Sequence, residues 1–220
     1  MKTRIFTFAP GRVPRGLIPA ARDILARCGI MAYPTDTVYG LGCDSLSQAA
    51  VRKIYDLKKR LPSKPSPVLV ADLDMVRCLA LELPPCFDIL SAEFWPGPLT
   101  LVLRVREGFP AEVLGPNRTL GVRLPDIPWI RELAGRLGAP LLATSANISG
   151  EKEIADPAEV IAAFGEKVDL IIDGGPSPGG MPSTVVDLTS GEPRILRQGS
   201  ISGQRILESI TGRKRRARIT

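Results

Sequence analysis

From Ile18 to Cys28 the apolar positions Ile24, Leu25 and Cys28 recur at helical spacing, and Gly29 ends the run. Ile30 to Tyr33 are then apolar without a break, which predicts a short buried strand closed by Pro34. Ser47 suits the N-cap of a second helix, with Val51, Ile54, Tyr55 and Lys58 along one side. That helix should run out near Arg60, because Pro62 and Pro65 follow. SPVLVAD predicts a strand, and two short helices follow over residues 73–81 and 85–93. A tight turn in WPGPLT feeds a strand over residues 100–105, and LGVRL (120–124) reads as another. IPWIRELAGRLG is a helix stopped by Gly138, and PLLAT is a strand running into the hydroxyl-rich SANISG. Asp156 and Pro157 supply N-cap and first-turn residues for a helix through Phe164. VDLIID, STVVDL and RILRQ complete the strands, and residues 201–210 close with a helix.

Helices and strands alternate early and strands crowd late, so the expected fold class is α/β with a mixed sheet. The loop GGPSPGGMPS, residues 174–183, has four Gly and three Pro between two strands and reads as a shaped loop, not a domain linker.

The 220 residues suit one domain, and 44% hydrophobic with 24% charged residues is the balance of a folded soluble protein. No apolar run approaches the roughly 18 residues needed to cross a bilayer, and the first residues lack a signal-peptide block. Four cysteines without a CxxC pair fit a reduced cytoplasm, and with no histidine a protein-built zinc site is not expected. The net charge of +6 is unevenly spread: RKRRARIT, residues 213–220, holds five of the basic residues and no acid, and without it 24 basic residues face 23 acidic ones. Residues 1–212 are therefore expected to form the domain and residues 213–220 an unstructured basic tail, with a weak RNA contact as the sharper alternative.

Four clusters could carry chemistry. TDT (35–37) and TSAN (144–147) follow strands, PST (182–184) opens one, and Lys58-Lys59-Arg60 ends a helix. Groups at strand ends of an α/β sheet gather where ligands bind, and hydroxyls with Lys and Arg suit phosphate or carboxylate oxygens. Each cluster also has a plain structural reading: Ser and Thr form turns, and basic residues complement a helix C-terminus. No phosphate-loop or dinucleotide fingerprint is present. The absence of histidine excludes Ser–His and Cys–His nucleophilic schemes, leaving chemistry that needs positioning and charge neutralisation.

PTDTVYGLG, the K-x-R of residues 58–60, WPGPLT, GVRLP, the S-x-N of residues 145–147, PSTVVD and ILRQG occur in this order, and together they resemble the YrdC/Sua5 family of threonylcarbamoyl-AMP synthases over residues 18–210. The resemblance implies a single domain whose twisted mixed sheet and helices surround a deep, positively lined cavity. It implies conversion of L-threonine, bicarbonate and ATP, with Mg²⁺, to threonylcarbamoyl-adenylate and pyrophosphate. The product would pass to the machinery that makes t6A at position 37 of tRNAs reading ANN codons. By the same resemblance Lys58 and Arg60 are the catalytic pair that meets the phosphates. Thr119, Ser145, Asn147 and Arg197 join them on ATP, and Thr35, Arg123, Ala143 and Ser183 hold threonine. The chain departs from the family in placing Leu61 before Pro62 after K-x-R, and in having Pro67 near where many members carry a histidine. Its length resembles the family's short form. Two alternatives remain: an RNA-binding module of this fold without catalysis, and an enzyme that forms a carbamoyl-adenylate from another substrate.

Overall fold

The apolar runs form strands and the periodic segments form helices in a computed structural model that describes residues 2–9, 13–61 and 63–216, with side chains as far as residue 212. In chain order the elements are β1 (Arg4–Thr7), α1 (Leu17–Leu25), β2 (Met31–Tyr33), β3 (Gly40–Asp44), α2 (Gln48–Leu57) and β4 (Val68–Leu69). Next come α3 (Leu73–Leu79), α4 (Pro85–Phe94), β5 (Leu99–Arg104), β6 (Thr119–Arg123), α5 (Pro128–Leu137) and β7 (Leu141–Ser145). The last are α6 (Pro157–Phe164), β8 (Leu170–Asp173), β9 (Thr184–Asp187), β10 (Arg194–Arg197) and α7 (Gly203–Arg216).

All ten strands join one sheet in the order β1-β8-β2-β3-β7-β4-β6-β5-β9-β10. The sheet is mixed, as expected: β2 runs parallel to β8 and antiparallel to β3, and β5 runs antiparallel to β6 and parallel to β9. Two strands went unexpected. β1 is an edge strand with three of its four residues exposed, so it lacks an apolar signature. β3 is central, but Gly40 and Gly42 hide it; a Cβ on Gly42 would lie 2.8 Å from Cε1 of Tyr33, so the missing side chain is the room that ring fills.

Helix ends follow the local chemistry. Ser47 caps α2 by accepting from Ala50 N, and Asp156 caps α6 by accepting from Ala158 N. α2 stops at Leu57, a little before Arg60; Lys59 has φ +50° and turns the chain away, and Pro62 lies outside the described residues. α5 ends on Gly138 at φ +71°, where a side chain would be strained. α7 continues to Arg216, four residues into the stretch expected as an unstructured tail; residues 217–220 lie outside the described residues.

Residues alternate across the sheet, and the two faces differ. Leu99, Leu101 and Leu103 of β5 and Leu120 and Val122 of β6 enter a large core with residues of α2, α4, α6 and α7. On the opposite face, α1 and α5 cover Met31, Tyr33, Leu69 and Leu141. Beyond those two helices that face carries small or polar residues, Ala143, Gly121 and Thr100, and here the sheet surface opens into a cavity. A Cβ on Gly121 would lie 3.2 Å from Thr100 Cγ2 and 3.3 Å from Pro67 Cβ, so the glycine keeps this floor low.

Candidate active site

The cavity encloses about 320 Å³, and its wall is drawn from chain positions as distant as Tyr33 and Arg197. Of the residues singled out in the sequence, Thr35, Arg60, Arg123, Ala143, Ser145, Ser183 and Arg197 line it; Lys58, Thr119 and Asn147 do not. Three guanidinium groups and two carboxylates, Asp36 and Glu153, face the space. A neighbouring cavity of about 420 Å³ shares Thr35, Asp36 and Ile127 but is otherwise walled mainly by apolar groups such as Phe8, Pro34 and Trp129. Anion chemistry therefore belongs to the first.

Thr35 follows β2 and closes the turn that leads to β3. Its hydroxyl donates to Val38 O at 2.6 Å and accepts from Thr37 N at 3.1 Å, with Thr37 Oγ1 also 3.1 Å away. Its single proton and both lone pairs are thus engaged within the turn. Arg123 ends β6; its Nε donates to Gly97 O at 2.9 Å and its Nη2 to Asp36 Oδ2 at 2.6 Å, leaving Nη1 without a partner among the described residues. Arg60 donates from Nε to Lys64 O and from Nη2 to Pro65 O, which folds the segment after α2 beneath it.

Lys58 is only 1% exposed. Its Nζ donates to Ser145 O, to Asn147 O at 2.7 Å and to Asn147 Oδ1 at 2.9 Å, and its own carbonyl accepts from Ser149 N. All three ammonium protons are therefore engaged in holding the turn after β7. Burial draws its pKa down to about 8; the Arg60 charge adds to this, and Glu153 opposes it. In the same turn Ser145 Oγ donates to Asn147 Oδ1 at 2.7 Å, and Asn147 Nδ2 donates to Glu151 O at 2.7 Å. Lys58 and Asn147 thus lie directly behind Ser145. Thr119 shares a face with Gly121 and Arg123 but lies about 13 Å of strand from Arg123. Its hydroxyl packs at Gly115, where a Cβ would approach to 2.6 Å.

The far wall is tied by Arg197, which donates from Nε and Nη2 to Ser183 O at 3.2 and 2.9 Å and from Nη2 to Ser183 Oγ at 3.1 Å. Burial lowers the Arg197 pKa from its usual value, and Glu153 works against that shift. Gly199 permits this closure, because a Cβ there would lie 2.0 Å from Pro182 O.

The sequence reading missed several wall residues. Thr100 lies in WPGPLT, which resemblance marked as a motif without a role, and Asp36 was only the acid between two threonines. Nothing in the sequence pointed to Glu153. Tyr33 was taken as strand core: it is fully buried against Trp129, yet it lines the cavity and its hydroxyl has no partner among the described residues. Burial pushes its phenol pKa well up, so it stays a neutral donor. Tyr39 donates to Gly175 O at 2.8 Å, and burial raises its pKa to about 12. Pro67, near the position of the absent histidine, also lines the space.

Among the described residues no helix is long and apolar enough to cross a membrane. The sequence profile of the Sua5/YciO/YrdC domain, described as "Telomere recombination", matches residues 23–199. The chain is 36% identical over 201 residues to the threonylcarbamoyl-AMP synthase of Pyrococcus abyssi, covering 91% of this chain and 59% of that protein. It is 34% identical to the threonylcarbamoyl-AMP synthase of Bacillus subtilis, covering 89% of this chain and 56% of the relative. The chain thus spans a little over half the length of these two relatives. The solved structure of P. abyssi Sua5 complexed with L-threonine matches with a TM-score of 0.88 at 36% identity, over 94% of this chain and 61% of that one. Escherichia coli YciO matches with a TM-score of 0.82 at 29% identity, over 93% of this chain and 99% of its own. The ordered motifs, the mixed sheet with its arginine-lined cavity and these matches agree: the chain belongs to the Sua5/YciO/YrdC family.

Proposed function

We propose that this chain is a threonylcarbamoyl-AMP synthase, joining L-threonine, bicarbonate and ATP into threonylcarbamoyl-adenylate with release of pyrophosphate. The observation that carries the reading is the convergence of Arg60, Arg123, Ser145, Ser183 and Arg197 on one cavity from five separate segments. The threonine complex of P. abyssi Sua5 supports the choice of amino acid. Arg123 takes the threonine carboxylate through its free edge, with Ser183 and the Ala143 backbone beside it. Thr35 shapes the turn that closes this end.

The neutral amine attacks the carbon of bicarbonate, and water leaves, giving N-carboxy-threonine. One of its carboxylate oxygens forms a bond to the α-phosphorus of ATP while the bond from that phosphorus to the β-phosphate bridge breaks, and the electron pair leaves on pyrophosphate. The substrate is its own nucleophile, so the chain needs no histidine. Arg60 and Arg197 offset phosphate charge directly, and Ser145 borders the nucleotide with its hydroxyl proton held by Asn147 Oδ1. Lys58 supplies its charge from behind the Ser145 carbonyl, Asn147 holds that turn, and Thr119 stands further along the same sheet face toward the nucleotide. Mg²⁺ would come with the triphosphate and offset part of its charge. The labile product passes to the t6A-transfer machinery that modifies tRNA.

Incubating the purified chain with ATP, labelled bicarbonate and threonine tests this. The expected result is threonine-dependent pyrophosphate and a labelled adenylate, with far less from serine. Pyrophosphate release indifferent to threonine and bicarbonate would overturn it.

A further inference from the structure

Glu153 lies between β7 and α6 in a segment whose backbone is tied on both sides. Glu151 O accepts from Asn147 Nδ2 at 2.7 Å, Ile154 O from Tyr39 N at 2.8 Å, and Ala155 O from Ser177 N at 2.9 Å. These bonds fix the point from which the Glu153 side chain leaves the chain. The residue is exposed and lines the cavity, and it has no hydrogen bond or ion pair among the described residues. The three guanidinium groups of the same wall direct their bonds elsewhere: Arg60 to Lys64 O and Pro65 O, Arg123 to Gly97 O and Asp36, Arg197 to Ser183. The Glu153 charge is nevertheless felt by Lys58 and Arg197, where it opposes the fall of each pKa.

An unpaired carboxylate at this place repels the triphosphate that Arg60 and Arg197 attract. A divalent cation between them reverses the sign. Mg²⁺ is held through one or two carboxylates together with phosphate oxygens, and it keeps several of its waters, so one acid on the protein is enough. A ribose hydroxyl also calls for an acceptor, but the cations that feel Glu153 are those assigned to the phosphates, not to a sugar. We propose that Glu153 is the contact between this chain and the Mg²⁺ that accompanies ATP, so that the cavity selects the metal-bound nucleotide over the free one. The inference rests on the threonylcarbamoyl-AMP reading, which supplies ATP as the ligand.

The test compares the full wild-type chain with Glu153→Gln, which keeps the size and removes the charge. Calorimetric Kd values for ATP are measured in excess Mg²⁺ and again in EDTA, with the Kd for L-threonine and the melting temperature as controls. In Glu153→Gln, ATP is expected to bind about tenfold more weakly with Mg²⁺, while in EDTA its affinity is equal to wild type or up to about threefold tighter. The preference for the metal-bound nucleotide thus falls at least about tenfold, with threonine affinity and melting temperature near wild type. A preference that Glu153→Gln leaves unchanged overturns the inference, whether both affinities stay the same or both weaken equally, as they do for an acceptor of ribose hydroxyls. Wild-type protein that binds ATP under neither condition overturns the parent reading, a result separate from the variant comparison, and the inference falls with it.

Discussion

Lys58 holds a positive charge out of water with three oxygen acceptors and no carboxylate on its ammonium. Its folded pKa, about 8, lies below the ordinary lysine value of 10.5. Between those two pH values the unfolded chain keeps a proton that the folded chain gives up, so this residue's contribution to stability grows as pH rises through the window. Urea denaturation of wild type and Lys58→Met at pH 7 and pH 10 should therefore show the difference moving in favour of wild type at the higher pH. Activity should move the other way: turnover falls as pH rises through about 8, because the neutral amine no longer backs the Ser145 turn with charge. Arg60 carries no such structural duty in the core. Arg60→Ala should leave the melting temperature near wild type and cost about 2–4 kcal/mol at the transition state, read as kcat/KM for ATP. The sequence named both residues but could not separate them, since which basic side chain faces a cavity and which lies behind its wall depends on where Lys59 turns the chain.

At the scale of elements, what could be read was what is local. Ser47, Asp156 with Pro157, and Gly138 announced helix ends because capping is settled by a side chain and the backbone a few residues away. β3 was hidden because its glycines answer to a strand that is adjacent in space: Gly42 pairs with Met31, and Tyr33 crosses its surface. Gly42→Ala should cost about 1–3 kcal/mol of stability in a urea titration, because the new methyl meets both the Tyr33 ring and, at 3.1 Å, the Leu142 carbonyl. A stability indistinguishable from wild type would mean that the ring is not seated on that backbone. The K-x-R and S-x-N motifs each read as a short cluster; that one clamps the other, across 87 residues of chain, is a tertiary fact with no trace in either.

Across the whole molecule, the basic charge lies at one end of the sequence while the body is close to neutral. α7 docks on α4 through residues that precede the basic run: Ile206 and Ile210 are buried, and Arg205 stacks over Phe94 at 5.2 Å. Truncation before Arg213 should therefore leave the fold and pyrophosphate release intact while weakening any binding of tRNA, measured by filter retention at low salt. Loss of turnover on truncation would show instead that the basic end of α7 supports catalysis. The fold class was legible from alternation of elements, but the strand order was not, because six of the nine neighbouring pairs join strands that are not consecutive in the chain.

That strand order has a further consequence. The turn after β2 and the bond from β10 back to Ser183 stand on widely separated strands of the sheet, yet both border one cavity. A small molecule gripped by both acts as a cross-brace between a central strand and the outermost one. Deuterium uptake along β10, which frays freely at an open edge, should slow when threonine and ATP are added, and a nascent chain should remain deaf to both until Arg197 has emerged.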